Sequence, residues 1–441
     1  MADSQTDSIS ERKQSPQKTS ARWTTRAHGN GLSRGQQDFV EHIKREFPIF
    51  SRYPNLAYLD TAASAQKTSS SIKTMTSFLK NEYANVHRGA YALSAQASEK
   101  FWSAREAVAR FLGGVDPSEV IFTRGATEAI NLVAYSFGQI LDSNASILLT
   151  ELEHHSNIVP WQLLAGRTGI QLHFAPIRED ATLDEQRFEE LVVQTKPAIV
   201  SFTGLSNAFG SVTDIRKLTR MAHSEGAKVL VDGAQLLAHG PVNVAHLEID
   251  FLAFSSHKIY GPTGLGVLYG KRELLERMPP FLGGGDMIER VSTTGSTFAE
   301  IPKRFEAGTP AIAEVLGFAA SLDQLERFGW ESIRSQEENV FRFGRKLLLQ
   351  TPGVKIIGPS NGERDHRSIL AFTVEGVHPH DLATVADAEG VQIRAGHHCA
   401  MPALRALGLQ STCRASVGCY TSERDFEKLA LAIHKAQSIF R

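Results

Sequence analysis

From about residue 56 onward, short apolar runs rich in β-branched residues alternate with segments whose apolar side chains recur every three to four positions. The runs are VIFT at 120, SILLTEL at 146, QLHFAP at 171, AIVSFT at 198, KVLVDGA at 228, FLAFSS at 251 and GVLYG at 266. Short runs of this kind, apolar on both faces, read as strands of a largely parallel sheet with helices on either side. Helical spacing appears in ATEAINLVAYSFGQIL after Gly125 and in DIRKLTRMAHSEG after Thr213, the second ending at a glycine. Residues 309–330 read as one long helix leaving this unit, and the chain beyond them mixes shorter strands and helices. The pattern therefore predicts an α/β protein with a seven-stranded, mostly parallel sheet in a large unit over 56–325 and a smaller α+β domain over 326–441.

Composition narrows the class. The 47 Lys and Arg balance 48 Asp and Glu, a formal net charge of −1, so the cationic excess that a nucleic-acid surface needs is missing. No stretch of about 18 apolar residues suggests a membrane span. Three cysteines (Cys399, Cys413, Cys419) crowd one end, too few for a disulfide framework, which favours a reducing compartment such as the cytoplasm. Residues 1–34 hold seven apolar side chains against six Ser, too little apolar surface to offset ordering. Residues 1–38 are therefore read as a disordered leader and 39–55 as an N-terminal segment packing with the small domain. Six basic residues and no acid over 12–34 leave an organellar transit peptide as the alternative to a plain tail.

Candidate chemistry gathers at the strand ends, where open α/β sheets bind ligands. Lys258 directly follows an apolar strand and precedes a glycine-rich turn in LAFSSHKIYGPTGLG. Desolvation there lowers an amine's pKa and suits it to Schiff-base chemistry, whereas a surface ion pair is the plainer reading. Asp232 ends KVLVDGA, either as a helix cap or as the carboxylate that keeps a pyridine nitrogen protonated. Gln235 follows one turn later and offers a donor to a phenolic oxygen. Arg124–Thr127 join a strand to a helix start, an arrangement that binds phosphate through backbone N–H groups. Thr127 adds a hydroxyl, although as an ordinary N-cap it would look the same.

These segments belong to a longer series: LDTAASAQKT at 59, NVHRGAYALSAQAS at 85, RGATEAINLVA at 124, ELEHHSNIVPWQ at 151, VDGAQ at 231, SSHKIYGPTG at 255, RFEAGTP at 304, RAGHHCAMP at 394 and CRAS at 413. Together, in this order over residues 40–441, they resemble the pyridoxal-phosphate-dependent cysteine desulfurases of the class V aminotransferase-like family, and within them the Suf-type branch that feeds iron–sulfur cluster assembly. Two departures stand out. Ser256 replaces a usual glycine and adds bulk near the cofactor phosphate, and SNAFG at 206 varies the usual SNVLG.

The resemblance implies fold type I, a homodimer with shared active sites, pyridoxal 5'-phosphate as cofactor and L-cysteine as substrate. It makes Lys258 the Schiff-base lysine, Asp232 the pyridinium partner, Gln235 the phenolate partner and His154 the ring-stacking residue. Thr127, Ser255 and His257 would hold the phosphate, with Thr309 reaching it from the other subunit. Asn207 and Arg414 would hold the substrate carboxylate, a task suited to a planar guanidinium, and Arg394 would fix the cysteine loop. Cys399 would carry sulfur as a persulfide for a Suf-type acceptor protein. Its place just before Pro402, a natural helix start, favours thiolate, and His397 and His398 add possible positive neighbours. A zinc site on these three adjacent residues has poor tetrahedral geometry, and a buried structural role suits Cys413 and Cys419 better. The alternatives are an aminotransferase or epimerase of the same fold, which needs no Cys399, a selenocysteine lyase, and a non-catalytic sulfur-transfer scaffold.

Overall fold

Each of the seven apolar runs forms a strand: β1 Val120–Thr123, β2 Ser146–Thr150, β3 Gln171–Ala175, β4 Ile199–Thr203, β5 Lys228–Asp232, β6 Phe251–Ser255 and β7 Gly266–Gly270. The computed structural model describes residues 34–87, 89–359 and 366–440. The strands join in the order β1-β7-β6-β5-β4-β2-β3, with β7 antiparallel to both of its neighbours and the other pairs parallel. Successive side chains of a strand point to opposite faces, and the cores follow that rule. Val120, Phe122, Leu252 and Phe254 enter one buried cluster, while Ile121, Phe251 and Ala253 enter another on the opposite face. Both faces are thus covered, which is why the runs lack polar alternation.

The C-terminal part forms a second sheet from β8 Val354–Ile357, β9 Ile369–Val374, β10 Arg394–Gly396 and β11 Thr412–Ser416. It is antiparallel throughout, in the order β8-β9-β11-β10, over a third core that includes Leu370, Phe372, Phe426 and Ile433. Ala57–Tyr58 pairs in parallel with Val391–Gln392, and Asp60 bridges to Ser416, so the start of the large unit is stitched to this sheet. The expected long helix over 309–330 is Ile312–Phe328, and a second helix, Trp330–Gln350, follows at once. The break falls on Gly329, whose φ of +84° is left-handed and ends the first helix without Cβ strain.

The leader assigned to residues 1–38 falls mostly outside the described residues, and helix Arg34–Arg45 takes in its last five positions. Among the described residues no helix is long and apolar enough to cross a membrane.

Candidate active site

The register of the large sheet builds the first half of the site. Thr123 and Ser255 both pair with Gly266, so the ends of β1 and β6 flank the first residue of β7. A Cβ on Gly266 would lie 2.3 Å from the Gly125 Cα, so only glycine lets the turn after β1 settle here. That approach lets Ser255 Oγ accept the Ala126 N–H at 2.8 Å, at the start of helix Ala126–Leu132. Thr127 Oγ1 lies 2.8 Å from Ser156 Oγ on the exposed side of the same turn. His257 Nδ1 lies 3.1 Å from Ser64 Oγ, and burial depresses its pKa to about 4, leaving a neutral ring. Next to it Lys67 donates to Ala65 O at 2.7 Å and His257 O at 3.2 Å, and burial lowers its pKa to about 8.

Lys258 closes a short 3-10 turn, Ser256–Lys258, directly after the fully buried β6. Burial pulls its amine down to about 8, against the pull of Asp232 in the opposite direction. Asp232 ends the neighbouring strand at 4% exposure. Its Oδ1 accepts the Ala234 N–H at 2.9 Å, and burial raises its pKa. Gln235 Nε2 donates to Ala62 O at 2.7 Å. His154 is neutral, since burial and the Lys258 charge lower its pKa to about 3, and its Nδ1 accepts the Ser156 N–H at 3.1 Å.

The small sheet supplies the other half. Arg394 on β10 stands directly opposite Arg414 on β11. Like charges in that position repel, so the pair suits an anion between or beside them. Arg414 is 1% exposed; it donates to Asn207 O at 2.8 Å and to Asp60 Oδ1 at 2.9 Å, while its buried Nε has no partner among the described residues. Arg394 Nη2 lies 3.7 Å from Cys399 Sγ. The Cys399 loop runs through left-handed backbone at His398 (φ +52°) and Cys399 (φ +56°) and leads into helix Met401–Ala406, with Pro402 in its first turn. Asn207 Nδ2 donates to His398 O at 2.6 Å. Cys413 and Cys419 are buried, and burial pushes the Cys413 thiol up to about 12.

Of the residues named from sequence, Asp232, Arg394, Arg414 and Cys399 all act on the Lys258 amine, His154 and His257 feel the Lys258 charge, and Ser255 bonds the Ala126 N–H beside Thr127; Thr309 is exposed and makes no hydrogen bond or ion pair with any of them among the described residues. The departure at Ser256 reads differently in three dimensions. The side chain is fully buried, and its hydroxyl donates to Pro262 O, stapling the loop. A buried hydroxyl must find an acceptor, and the Pro262 carbonyl is near. Sequence reading missed Glu153, Asp60, Lys67 and His155. Glu153 and Asp60 carry the signal that singled out Asp232, an acid at the end of an apolar run, in SILLTELE and LAYLD. Glu153 is wholly buried; it accepts Thr150 Oγ1 at 2.5 Å, Asn157 Nδ2 at 2.6 Å and the Thr203 N–H at 3.1 Å, yet burial lifts its pKa to about 8.

The donor set fits a phosphorylated pyridine aldehyde. A buried acid suits a ring nitrogen, a desolvated lysine suits a carbonyl, and a side chain at position 125 would come within 3.4 Å of Ser255 Oγ, in the turn where a phosphate would lie.

Known proteins are similar to this chain in sequence and fold. The class-V aminotransferase family model matches residues 57–429. A cysteine desulfurase of Serratia proteamaculans is 42% identical over 405 residues, covering 91% of this chain and 98% of that protein. The crystal structure of the cysteine desulfurase CsdA (S-sulfonic acid) from Escherichia coli superimposes with a TM-score of 0.84 at 36% identity, covering 91% of this chain and 99% of that one. The apo cysteine desulfurase of Thermococcus onnurineus gives 0.85, also at 36% identity, over 90% and 98%. Matched along nearly its whole described length in both sequence and fold, the chain belongs to the class-V aminotransferase family, among its pyridoxal-phosphate-dependent cysteine desulfurases.

Proposed function

We propose that the protein converts L-cysteine to L-alanine and collects the sulfur as a persulfide on Cys399. The observation that carries this reading is the meeting of two half-sites. Lys258 and Asp232 stand at the large sheet's strand ends, and the Arg394–Arg414 pair with Cys399 stands on the small sheet, close enough that both arginines and the thiol perturb the Lys258 amine. An aminotransferase or epimerase on this fold would have no use for a thiol held beside Arg394.

Bound pyridoxal phosphate supplies the electron sink that stabilises negative charge at the substrate Cα. Asp232 would hold its ring nitrogen, Gln235 its phenolic oxygen and His154 its face. The Ala126 turn with Thr127, Ser255 and His257 would hold its phosphate, and Thr309 of a second copy would complete that site in a homodimer. Arg414, with Asn207, receives the substrate carboxylate. A lysine with pKa near 8 is partly unprotonated at neutral pH, so Lys258 can take the Cα proton and later return it. Cys399 thiolate attacks the substrate sulfur. The S–S bond forms as the C–S bond breaks, its electron pair stays with the substrate carbon, and a proton there completes alanine. A thiol acceptor, which we assign to a small Suf-type protein supplying iron–sulfur assembly in the cytoplasm, then removes the sulfane sulfur.

The test is rapid-quench measurement of alanine from L-cysteine. A burst of one alanine per site should precede slow turnover that a thiol acceptor accelerates, and Cys399→Ser should bind L-cysteine yet release almost no alanine. Normal alanine production by Cys399→Ser would assign the sulfur chemistry elsewhere.

A further inference from the structure

The loop that carries Cys399 is held from both sides by one residue of the loop that follows strand β2 of the large sheet. His155 opens a 3-10 turn, His155–Asn157, in the loop after β2. Its backbone N–H donates to Cys399 O at 2.8 Å. Its ring Nε2 accepts the Met401 N–H at 3.1 Å, satisfying one of the donors left unpaired at the start of helix Met401–Ala406. The same ring stacks on His397, with centroids 5.6 Å apart and planes at 29°. His397 Nδ1 in turn accepts the Cys399 N–H at 3.0 Å. The two peptide groups flanking the thiol are thus spoken for, by His155 on one side and by a ring leaning on His155 on the other.

The loop needs such support. His398 and Cys399 both adopt the left-handed backbone that non-glycine residues avoid, and conformations of this kind persist only where their surroundings over-determine them. Asn207 bonds His398 O, the His398 ring lies 2.9 Å from Thr412 Oγ1, and Ala400 N–H donates to His397 O at 2.9 Å, yet of these partners only His155 grips the Cys399 carbonyl.

We infer that His155 is a positioning residue whose ring Nε2 clamps the Cys399 loop, through Met401 and His397, so that Sγ faces the cleft and is sheltered from other reagents. The inference rests on the reading of Cys399 as the sulfur-collecting thiol. Accepting a hydrogen bond from the Met401 amide requires the neutral ring with its hydrogen on Nδ1. Burial and the neighbouring His397 both lower the His155 pKa, which favours that form.

The first readout needs no turnover. Cofactor-loaded protein is treated with iodoacetamide and labelling of Cys399 is followed by peptide mass spectrometry, with Cys399→Ser as the blank and the buried Cys413 and Cys419 as indicators of unfolding. Loss of one hydrogen bond shifts a local opening equilibrium by about tenfold, so His155→Ala should label Cys399 about ten times faster than the native protein. His155→Gln, whose amide oxygen reaches the place of Nε2, should label at close to the native rate. In single turnovers His155→Ala should slow the formation of the first alanine while the L-cysteine concentration that half-saturates that rate stays near native, because the carboxylate site is untouched. Equal labelling of the native and Ala proteins overturns the clamp, and a Gln variant as fast as Ala overturns the role of Nε2. Should His155→Ala not fold, amide hydrogen exchange at Met401 in the native protein decides: slow exchange supports the bond, and free exchange at a helix-start rate removes it. A native protein that shows the clamp but makes no alanine would refute the desulfurase reading and leave this one standing.

Discussion

Glu153 should make the stability of this protein fall as pH rises through the neutral range. The carboxyl is wholly buried and its pKa stands at about 8 against an ordinary value near 4.5. Burial is the main cause, with the Asp232 charge adding to it, and three donors offset it only in part. The folded chain therefore binds this proton more tightly than the unfolded chain. The stability linked to it is complete below pH 4.5 and is lost as pH climbs through 8. Each pH unit in that window removes about 1.4 kcal/mol, so about 3 kcal/mol is gone by pH 7. Glu153→Gln cannot ionise and should lack this slope. It has a separate penalty, because Gln brings two N–H donors where Glu153 faces the Thr203 N–H on one oxygen and the Asn157 amide on the other. That conflict costs about 1–2 kcal/mol at every pH. The variant should therefore be the less stable protein at pH 5 and the more stable one above pH 7. Paired urea denaturations at half-unit intervals from pH 5 to 8 give the difference directly. A difference constant across that range would refute the assignment of a protonated acid to this position.

Lys258→Ala should abolish both alanine formation and the borohydride-fixed cofactor adduct, read as mass added to the reduced protein; an adduct on another lysine would displace Lys258 from its role. Arg105→Met should destabilise the fold by about 3–5 kcal/mol, the usual result of orphaning a buried charge, because Arg105 binds both oxygens of Glu306 at 2.7 Å with both side chains buried. Urea midpoints will measure it, and a loss under 1 kcal/mol would mean that the pair is dispensable. Ser256→Gly removes the hydroxyl bond to Pro262 O and should lower stability by about 1–2 kcal/mol while leaving cofactor affinity, followed by absorbance titration, near native. Tighter cofactor binding in that variant would return the hydroxyl to the phosphate site.

Local pattern and chemistry made much of this protein legible in one dimension. The seven strands follow from apolar runs too short for helices and too uniform for a half-exposed sheet, and Asp232 and Lys258 stand out because an ionisable group flush against such a run must be paired or put to use. His154 and the arginines drew their meaning from strings far apart in the chain that resemble one family, and the same series gave Cys399 its sulfur-carrying role, to which Pro402, His397 and His398 beside it added only a reason for thiolate character. Tertiary structure decided what depends on register and on contact across long separations. Only the pairing of β10 with β11 sets Arg394 against Arg414, and only the shared pairing to Gly266 brings Ser255 to Ala126. Glu153 takes two donors from its own neighbourhood but the third, the Thr203 N–H, from strand β4, and His155 gains its task from the loop around Cys399, 244 residues downstream. The helix read over 309–330 ends at Phe328, and that Gly329 leads at once into a second helix, Trp330–Gln350, was not legible, because apolar spacing does not report where the chain turns. A side chain's partners are set by which strand ends face one another, and that is a property of the folded sheet order, which apolar spacing along the chain does not encode.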